Sequence, residues 1–197
     1  MKRRKILLLL GHTDKSGMCG AIADAYEGAA HAAGHEVERM NIGEMRFDPI
    51  LHHGYRAIQE LEPDLQLFAQ RLKACDHFVV IHPVWWVGMP AILKGLFDRV
   101  WLPGSEFRYI KLKNGIRTIF WHRLMKGKTA RIFVTSGSPR WLERALPGNV
   151  NAQLKWGLLW FAGFSVHATW FSPAENVPEE RKTRWLKRVE RIAKRGA

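Results

Sequence analysis

The chain has 197 residues, of which 47% are hydrophobic, and a formal net charge of +13 at pH 7. These values suit one domain with a buried core, residues 1–197, and exclude a disordered chain. The excess of cations would favour an anionic partner, but much of it lies in two terminal runs, residues 2–5 and 181–195, which are typical of a solvated surface.

The cysteines and the apolar runs indicate a soluble, cytoplasmic protein. Cys19 and Cys75 are the only cysteines, too few for a disulfide framework, which favours a reducing compartment. The apolar run Ile6–Leu10 is too short for the core of a signal peptide. Residues 156–171 fall short of the roughly 20 apolar residues that span a bilayer.

The chain opens with a β-α-β pattern. Residues Lys5–Leu10 (KILLLL) are almost continuously apolar, as in a strand of a parallel sheet that is buried on both faces. The polar loop Gly11–Gly17 breaks this strand. A helix over Met18–Ala33, which Gly34 ends, and a short alternating strand over Glu36–Asn41 complete the unit.

Two irregular excursions interrupt the later part of the chain. Residues 42–61 lack a clean period and are predicted to hold a short helix, whereas residues 101–128 are predicted to hold a small hairpin near Lys113–Gly115. The remaining predicted elements are helices over Glu62–Ala74, Pro90–Val100, Asn151–Ala162 and Pro178–Lys194, and strands over His77–His82, Thr129–Thr135 and Ser165–Phe171.

Strands and helices alternate five times along the chain. This alternation predicts an α/β sandwich of three layers, in which a five-stranded parallel sheet is covered by helices on both faces. A doubly wound strand order of 2-1-3-4-5 would bring together the loops after the first, third and fourth strands. In such sheets this crevice is where ligands bind.

The first of these loops, Gly11–Gly17, has the outline of a phosphate cradle. The helix behind it offers free backbone N–H groups and the positive end of its dipole, and His12 and Ser16 can add donors. The loop matches neither the Walker A pattern nor the dinucleotide fingerprint G-x-G-x-x-G. An ordinary strand-to-helix turn is therefore the alternative interpretation.

The other two loops suit a flat aromatic ligand. Trp85 and Trp86 offer planar surfaces, and because adjacent residues of a turn point in different directions, we expect one indole to face the ligand and the other to fill the core or an interface. The alternative is that both simply pack. The segment Thr135–Pro139 offers hydroxyl and backbone groups to the polar edge of a ring. A phosphate cradle, a ring platform and a polar edge together describe a site for a flavin nucleotide.

The sequence around the tryptophans also resembles a known family. Residues Pro83–Val100 (PVWWVGMPAILKGLFDRV) resemble the signature of the flavodoxin-like NAD(P)H:quinone oxidoreductases, the family of DT-diaphorase and its bacterial relatives. Phe47–Leu51 and Phe107–Tyr109 are similar to two further landmarks of that family, at suitable distances. The resemblance covers nearly the whole chain and implies one flavodoxin-like, flavin-binding domain.

The resemblance implies a flavin-dependent oxidoreductase. It would transfer a hydride from NAD(P)H through bound flavin, either FMN or FAD, to a quinone or similar electrophile by a ping-pong mechanism. The residues implied to bind the flavin are His12, Ser16, Met18 and Cys19 along its phosphate and ribityl chain, Pro83, Val84, Trp85, Trp86 and Val87 around the isoalloxazine, and Thr135, Ser136, Gly137 and Ser138 at the pyrimidine edge.

Two departures from the family pattern concern the chemistry. The family usually has Ser-Phe-Asn near the first loop, where this chain has Gly17–Cys19, so the choice between FMN and FAD stays open. Well-studied members have a Tyr and a His after the third loop, whereas here Ser138 is followed by Pro139 and Arg140. Arg140 is therefore the candidate catalytic residue, stabilising an anionic reduced flavin or quinol.

The resemblance also implies a homodimer. Independent support comes from aromatic residues that exceed what one small core readily buries and that protein interfaces favour. A second core layer beneath the long excursion is the alternative. These aromatic residues are Trp101, Phe120, Trp121, Trp156, Trp160 and Phe161.

The sequence predicts neither a metal site nor thiol chemistry. His52 and His53 are adjacent and diverge in direction, and neither this pair nor His77 with His82 has a Cys or acidic ligand at a zinc-like spacing. Cys19 follows a helix start, where a thiolate would be favoured, but it has no Cys-x-x-Cys partner and is interpreted as a small packed residue.

Two other functions are alternatives. Some members of the resembled family are ancillary subunits of potassium efflux systems, so the basic surface could make peripheral contact with a membrane protein or anionic lipid. The second alternative is a nucleic-acid-binding module, suggested by the charge alone. No helix-turn-helix, zinc-finger or RNA-binding aromatic signature accompanies this charge, so no nucleic-acid partner is expected.

Overall fold

The computed structural model describes residues 2–139, 141–142 and 152–197. The strands are β1 (Lys5–Leu10), β2 (Glu36–Asn41), β3 (His77–Pro83), β4 (Phe107–Lys111), β5 (Arg117–Arg123), β6 (Thr129–Thr135) and β7 (Ser165–Phe171). The helices include α1 (Met18–Ala32), α2 (Pro63–Ala74), α3 (Ala91–Val100) and α4 (Glu179–Ala193), with a short 3-10 helix (Ile42–Glu44) and a π-helical segment (Gln153–Trp160). Within the described ranges, no helix combines the length and apolar character needed to cross a membrane.

Five strands form one parallel sheet in the order β2-β1-β3-β6-β7. This is the predicted order 2-1-3-4-5, because β4 and β5 pair with each other outside the sheet, and the predicted α/β sandwich is confirmed. The register pairs Leu10 with Ile81 and Pro83 with Thr135. The carboxyl ends of β1, β3 and β6 therefore lie side by side.

Alternate residues of β1 serve two separate cores. Ile6, Leu8 and Leu10 pack on the face that α1 and α4 cover. Leu7 and Leu9 pack on the opposite face, against side chains of α2, α3 and the π-helical segment. All five are buried, which is why the strand is apolar at every position after Lys5 rather than alternating.

A buried arginine on α3 fixes the first excursion. The side chain of Arg99 is 0% exposed and donates hydrogen bonds to the carbonyl oxygens of Asp48 and Glu60 and to the carboxylate of Glu62, at 2.9 Å from Nη2 to Oε2. The role of Arg99 is structural. Residues 48–62 are thereby held against α3.

The second excursion contains the β4–β5 hairpin, as predicted, with Gly115 in its turn at φ +81°. Trp121 of β5 stacks on Phe161 with 4.2 Å between ring centroids and donates its indole N–H to the carbonyl oxygen of that residue. Ile119 and Phe120, the two residues that precede Trp121 on β5, are exposed. The hairpin is thus bound to the core through Trp121, and it leaves two apolar side chains uncovered.

The six aromatic residues assigned to an interface divide into three groups by burial. Trp101 is buried, edge-on to Phe97 at 5.3 Å between ring centroids, which corrects the interface interpretation for this residue. Trp121 and Phe161 are partly buried against the core. The exposed members are Phe120 at 64%, Trp156 at 49% and Trp160 at 41%.

Candidate functional site

A cavity of about 190 Å³ lies at the carboxyl ends of β1, β3 and β6, where the three predicted loops meet. Nine residues predicted to bind flavin line it: His12, Met18, Cys19, Pro83, Val84, Trp85, Thr135, Ser136 and Gly137. The sequence prediction missed Asp14, Gly17, Ala174 and Glu175, which also line it. Ser16, Trp86, Val87 and Ser138 lie in the same loops without lining the cavity. The candidate Arg140 lies outside the described residues.

The N-terminus of α1 forms one end of the cavity. Its N-cap residue, Gly17, has no side chain to cap the helix, and its first turn holds no acidic residue. The first N–H groups and the positive end of the helix dipole therefore stay open to an anion. A Cβ at Gly20 would lie 1.8 Å from the carbonyl oxygen of Lys15, so only glycine lets the loop fold this closely over the helix.

Asp14 changes the expected role of Ser16. The Asp14 carboxylate accepts hydrogen bonds from the backbone N–H of Ser16 at 2.8 Å and from its hydroxyl at 2.7 Å, and these bonds lower the pKa of Asp14. The Ser16 hydroxyl, which was expected to donate to a phosphate, is thus engaged by a carboxylate. In this arrangement the backbone of α1, and not the Ser16 side chain, supplies the free donors.

The tryptophan loop is a tight two-residue turn. Trp85 and Gly88 exchange backbone hydrogen bonds at 2.9 and 3.0 Å, and between them Trp86 and Val87 adopt φ values of +49° and +63°. Trp85 lines the cavity, edge-on to His12 at 5.4 Å between ring centroids, whereas Trp86 is fully exposed. The two indoles point in different directions, as expected, but the exposed indole of Trp86 does not pack into the core.

The third loop, Thr135–Pro139, contacts the other two loops through Thr135. The backbone N–H of Val84 donates to the carbonyl oxygen of Thr135 at 2.8 Å, and the Thr135 hydroxyl lies 3.2 Å from the Cys19 thiol. Burial raises the pKa of Cys19 to about 11, so the thiol stays neutral at pH 7. Cys19 is therefore a packed wall residue and not a nucleophile, as its sequence context indicated.

Glu175 reaches the cavity from the loop after β7. Its carboxylate lies so close to Gly137 that a Cβ there would be 2.6 Å from Oε1. The Ala174 N–H donates to the Ser136 carbonyl oxygen at 2.7 Å, which joins the loops after β6 and β7. The strand order could have predicted that this loop contributes to the cavity, because β7 lies beside β6 and the loops at their carboxyl ends are adjacent.

Two of the histidines considered for metal binding illustrate that these side chains have other partners. His52 Nε2 lies 2.6 Å from Asp48 Oδ2 at the surface, and His82 Nδ1 lies 2.9 Å from the Pro83 carbonyl oxygen. Burial lowers the pKa of His82 to about 4, so it is neutral at pH 7. Across the part of the chain that the structure describes, no three His, Cys, Asp or Glu side chains form a group suited to a metal ion.

A parallel sheet of this order, with an open helix N-terminus, an indole and a polar loop at its switch point, defines a flavodoxin-like protein. The profile of the flavodoxin-like fold family matches residues 4–195, so the chain belongs to that family.

The relatives are oxidoreductases by name. The chain is 32% identical to an uncharacterized NAD(P)H oxidoreductase of Haemophilus influenzae, over 80% of this chain and 77% of that protein. It is 26% identical to NAD(P)H dehydrogenase (quinone) 1 of Cavia porcellus, over 96% of this chain and 77% of that protein. The predicted resemblance to the NAD(P)H:quinone oxidoreductases is thereby confirmed.

Solved structures share the fold. Smu.1420 from Streptococcus mutans UA159 superposes with a TM-score of 0.83 at 24% identity, covering 97% of this chain and 99% of that one. An FMN-dependent NADH-azoreductase from Bacillus anthracis, solved in complex with FMN, has a TM-score of 0.70 at 18% identity, covering 98% of this chain and 99% of that one.

Proposed function

We propose that this protein is a flavin-dependent NAD(P)H oxidoreductase that passes a hydride from NAD(P)H through bound flavin to a quinone or similar electrophile. The observation that carries this proposal is the cavity in which the open N-terminus of α1, the Trp85 indole and the polar Thr135–Gly137 segment meet. The names of the relatives and the FMN held by a protein of the same fold support it.

Each wall of the cavity suits one part of a flavin nucleotide. The first N–H groups of α1 would hold the phosphate, because they are uncapped and lie at the positive end of the helix. Val84 and Trp85 would contact the ring system, and the Thr135 hydroxyl would meet its polar edge. When bound, the flavin supplies the group that accepts and then donates the hydride, while these residues bind it, orient it and exclude water.

A ping-pong mechanism follows if donor and acceptor use the same open side of the cavity in turn. Initial rates should therefore give parallel double-reciprocal lines when NADH or NADPH is varied at several fixed concentrations of a benzoquinone. Intersecting lines would contradict the mechanism. Absence of NAD(P)H oxidation by flavin-loaded protein would contradict the oxidoreductase function itself.

A second copy of the chain would complete the site. The cavity is smaller than the roughly 300–1,000 Å³ of ordinary ligand pockets, and Trp86 beside it is uncovered. The apolar residues exposed elsewhere on the chain, Phe120 on β5 and Trp156 and Trp160 on the π-helical segment, provide a surface for such a partner. We therefore propose a homodimer.

We also propose that residues 1–197 act as one domain in the cytoplasm. Cys19 and Cys75 are buried and unbonded, which suits a reducing compartment.

A further inference from the structure

The two cationic runs at the ends of the chain meet in the folded protein. Residues 2–5 lead into β1, and the chain beyond α4 ends beside them. His35 joins the two runs, because the backbone N–H of Arg4 donates to His35 Nδ1 at 3.3 Å and His35 Nε2 lies 3.2 Å from the carbonyl oxygen of Lys194. A Cβ on Gly196 would lie 3.1 Å from Arg4 Cδ. The two runs therefore form one continuous surface.

Arginines line the outward face of α4. Four of them recur at spacings of three and four residues, which place their side chains on one face of a helix. They are Arg181, Arg184, Arg188 and Arg191, and all four are exposed. Lys187 and Lys194 are also exposed, and Arg195 follows just past the end of α4. We call these seven residues, together with the exposed Lys2, Arg3 and Lys5, the basic face.

Few carboxylates neutralise the basic face. Those of α4 are Glu179 and Glu180 in its first turn, where they complement the helix dipole, and the half-buried Glu190. Among the described residues, none of the four arginines pairs with a carboxylate. The ion pairs in these segments are Lys182 with Glu179, and Arg3 with Glu36. Like charges three and four residues apart destabilise a helix, so α4 carries a repulsion that an anionic partner would relieve.

The apolar side of α4 is not available to a partner. Val189 and Ala193 are buried, and the half-buried Trp185 packs on Phe171 with 5.3 Å between ring centroids. No large apolar side chain is exposed on this helix, which the structure describes throughout. The basic face therefore offers charge alone, with no aromatic ring on which the bases of a single-stranded nucleic acid could stack.

The shape of the basic face favours a flat anionic partner. Since α1 and α4 cover the same face of the sheet and share its core, α4 lies within a layer and does not project from the molecule. A helix that reads DNA must instead enter a major groove about 8.5 Å deep. The 15 residues of α4 extend the charge over about 22 Å of this layer. Cation clusters of this size on an amphipathic helix are typical of contact with anionic lipid headgroups.

We propose that the basic face docks the protein on a membrane surface that carries anionic phospholipids, without inserting into it. The guanidinium groups would bind lipid phosphates, and the cations of residues 2–5 would extend the contact. No residue of the basic face lines the candidate flavin cavity. The proposal therefore goes beyond the oxidoreductase function and does not depend on it.

The test is sedimentation of the protein with lipid vesicles. At about 0.1 M salt we expect binding to vesicles of phosphatidylcholine that contain phosphatidylglycerol, and none to phosphatidylcholine alone. Arg184→Gln, Arg188→Gln and Arg191→Gln, combined in one variant, should weaken this binding about a hundredfold, at about fivefold for each cation lost. Binding that persists at about 1 M salt, where exposed charges are screened, would contradict a purely electrostatic contact.

The matched control changes three exposed cations outside the basic face and lowers the net charge equally. It combines Arg56→Gln, Lys73→Gln and Lys126→Gln and should leave vesicle binding nearly unchanged. An equal loss in both variants would show that net charge, and not the basic face, drives the binding. If the basic-face variant did not fold, as circular dichroism would show, the dependence of the wild-type protein on lipid charge and salt would still test the proposal.

Two further outcomes would overturn the proposal. One is the absence of binding to vesicles that contain phosphatidylglycerol. The other is salt-sensitive binding to duplex DNA without binding to these vesicles, which would assign the basic face to nucleic acid. Neither outcome bears on flavin binding, which the visible spectrum of the protein reports separately.

Discussion

At the scale of single residues, two adjacent indoles have different environments. Trp85 lines the cavity beside His12, and Trp86 is fully exposed. The sequence predicted that the two side chains diverge, because neighbouring residues of a turn do. It could not predict that Trp86 would be left uncovered, since this depends on the positive φ values of Trp86 and Val87.

Trp85→Ala should weaken flavin binding about tenfold or more, because the ring loses its aromatic wall. Trp86→Ala should lower the affinity less than Trp85→Ala does, because Trp86 does not line the cavity of its own chain. Titration of flavin fluorescence measures both constants, and Tyr55→Ala, at an exposed aromatic residue that does not line the cavity, is the control. Equal losses of flavin affinity in Trp85→Ala and Trp86→Ala would show that Trp85 contributes no more to flavin binding than Trp86 does.

Glu106 should give the stability of the protein a distinct pH dependence. Its side chain is buried, Oε1 accepts from the Ser105 hydroxyl at 2.7 Å, and Oε2 has no partner. Burial raises the pKa of Glu106 from 4.5 to about 7. Between these values the folded state binds more protons than the unfolded state, so this residue makes the free energy of unfolding fall as pH rises, and then level off.

Glu106→Gln should remove this fall in the free energy of unfolding with rising pH, which amounts to about 3 kcal/mol for a pKa shift of this size. Urea unfolding of both proteins between pH 4.5 and 7 measures the difference. The depressed pKa values of His77 and His82 act in the opposite direction and are common to both proteins. An identical pH slope in wild type and variant would mean that Glu106 is charged in the folded state.

At the scale of elements, the strand, turn and helix of residues 77–100 hold the site in place. The sequence predicted β3 and α3 correctly, because a buried apolar run and a proline-started helix are strong signals. The sequence did not indicate which type of turn connects β3 and α3. A two-residue turn with positive φ at both central positions normally carries Asn-Gly, whereas here the central residues are Trp86 and Val87.

Val87→Gly should raise the free energy of unfolding by about 1 kcal/mol, because a β-branched residue is strained at φ +63° and glycine is not. Urea unfolding measures this change. Val84→Gly, at a position in the same loop without positive φ, should instead destabilise the protein. A loss of stability in Val87→Gly comparable to that of Val84→Gly would show that the turn is not strained.

At the scale of the whole molecule, strand order decides which loops meet. The alternating pattern predicted the α/β sandwich, and the resemblance to the family implied nine of the residues that the strand order brings together around the cavity. Asp14 was missed because its hydrogen bonds to Ser16 are a property of loop geometry, which no periodicity reports. Trp101 was misassigned because an aromatic residue after a helix suits a core or an interface equally well.

The proposed homodimer predicts a mass of twice 22.7 kDa in solution. Phe120→Glu places a charge on the exposed side of the hairpin and should shift the protein towards the monomer, with lower quinone reductase activity. Light scattering after size-exclusion chromatography measures the mass. Ile58→Glu, at another exposed apolar residue, is the control, and a monomeric wild-type protein would contradict the dimer.

The central claim is that the cavity between the first loop, the tryptophan turn and the Thr135–Gly137 segment is a flavin site used for hydride transfer. Its most direct test is the visible spectrum of the purified protein under anaerobic conditions. We expect one bound FMN or FAD per chain, bleached by NADH or NADPH and restored by a quinone. Protein that binds neither flavin, or bound flavin that neither nicotinamide bleaches, would contradict the claim.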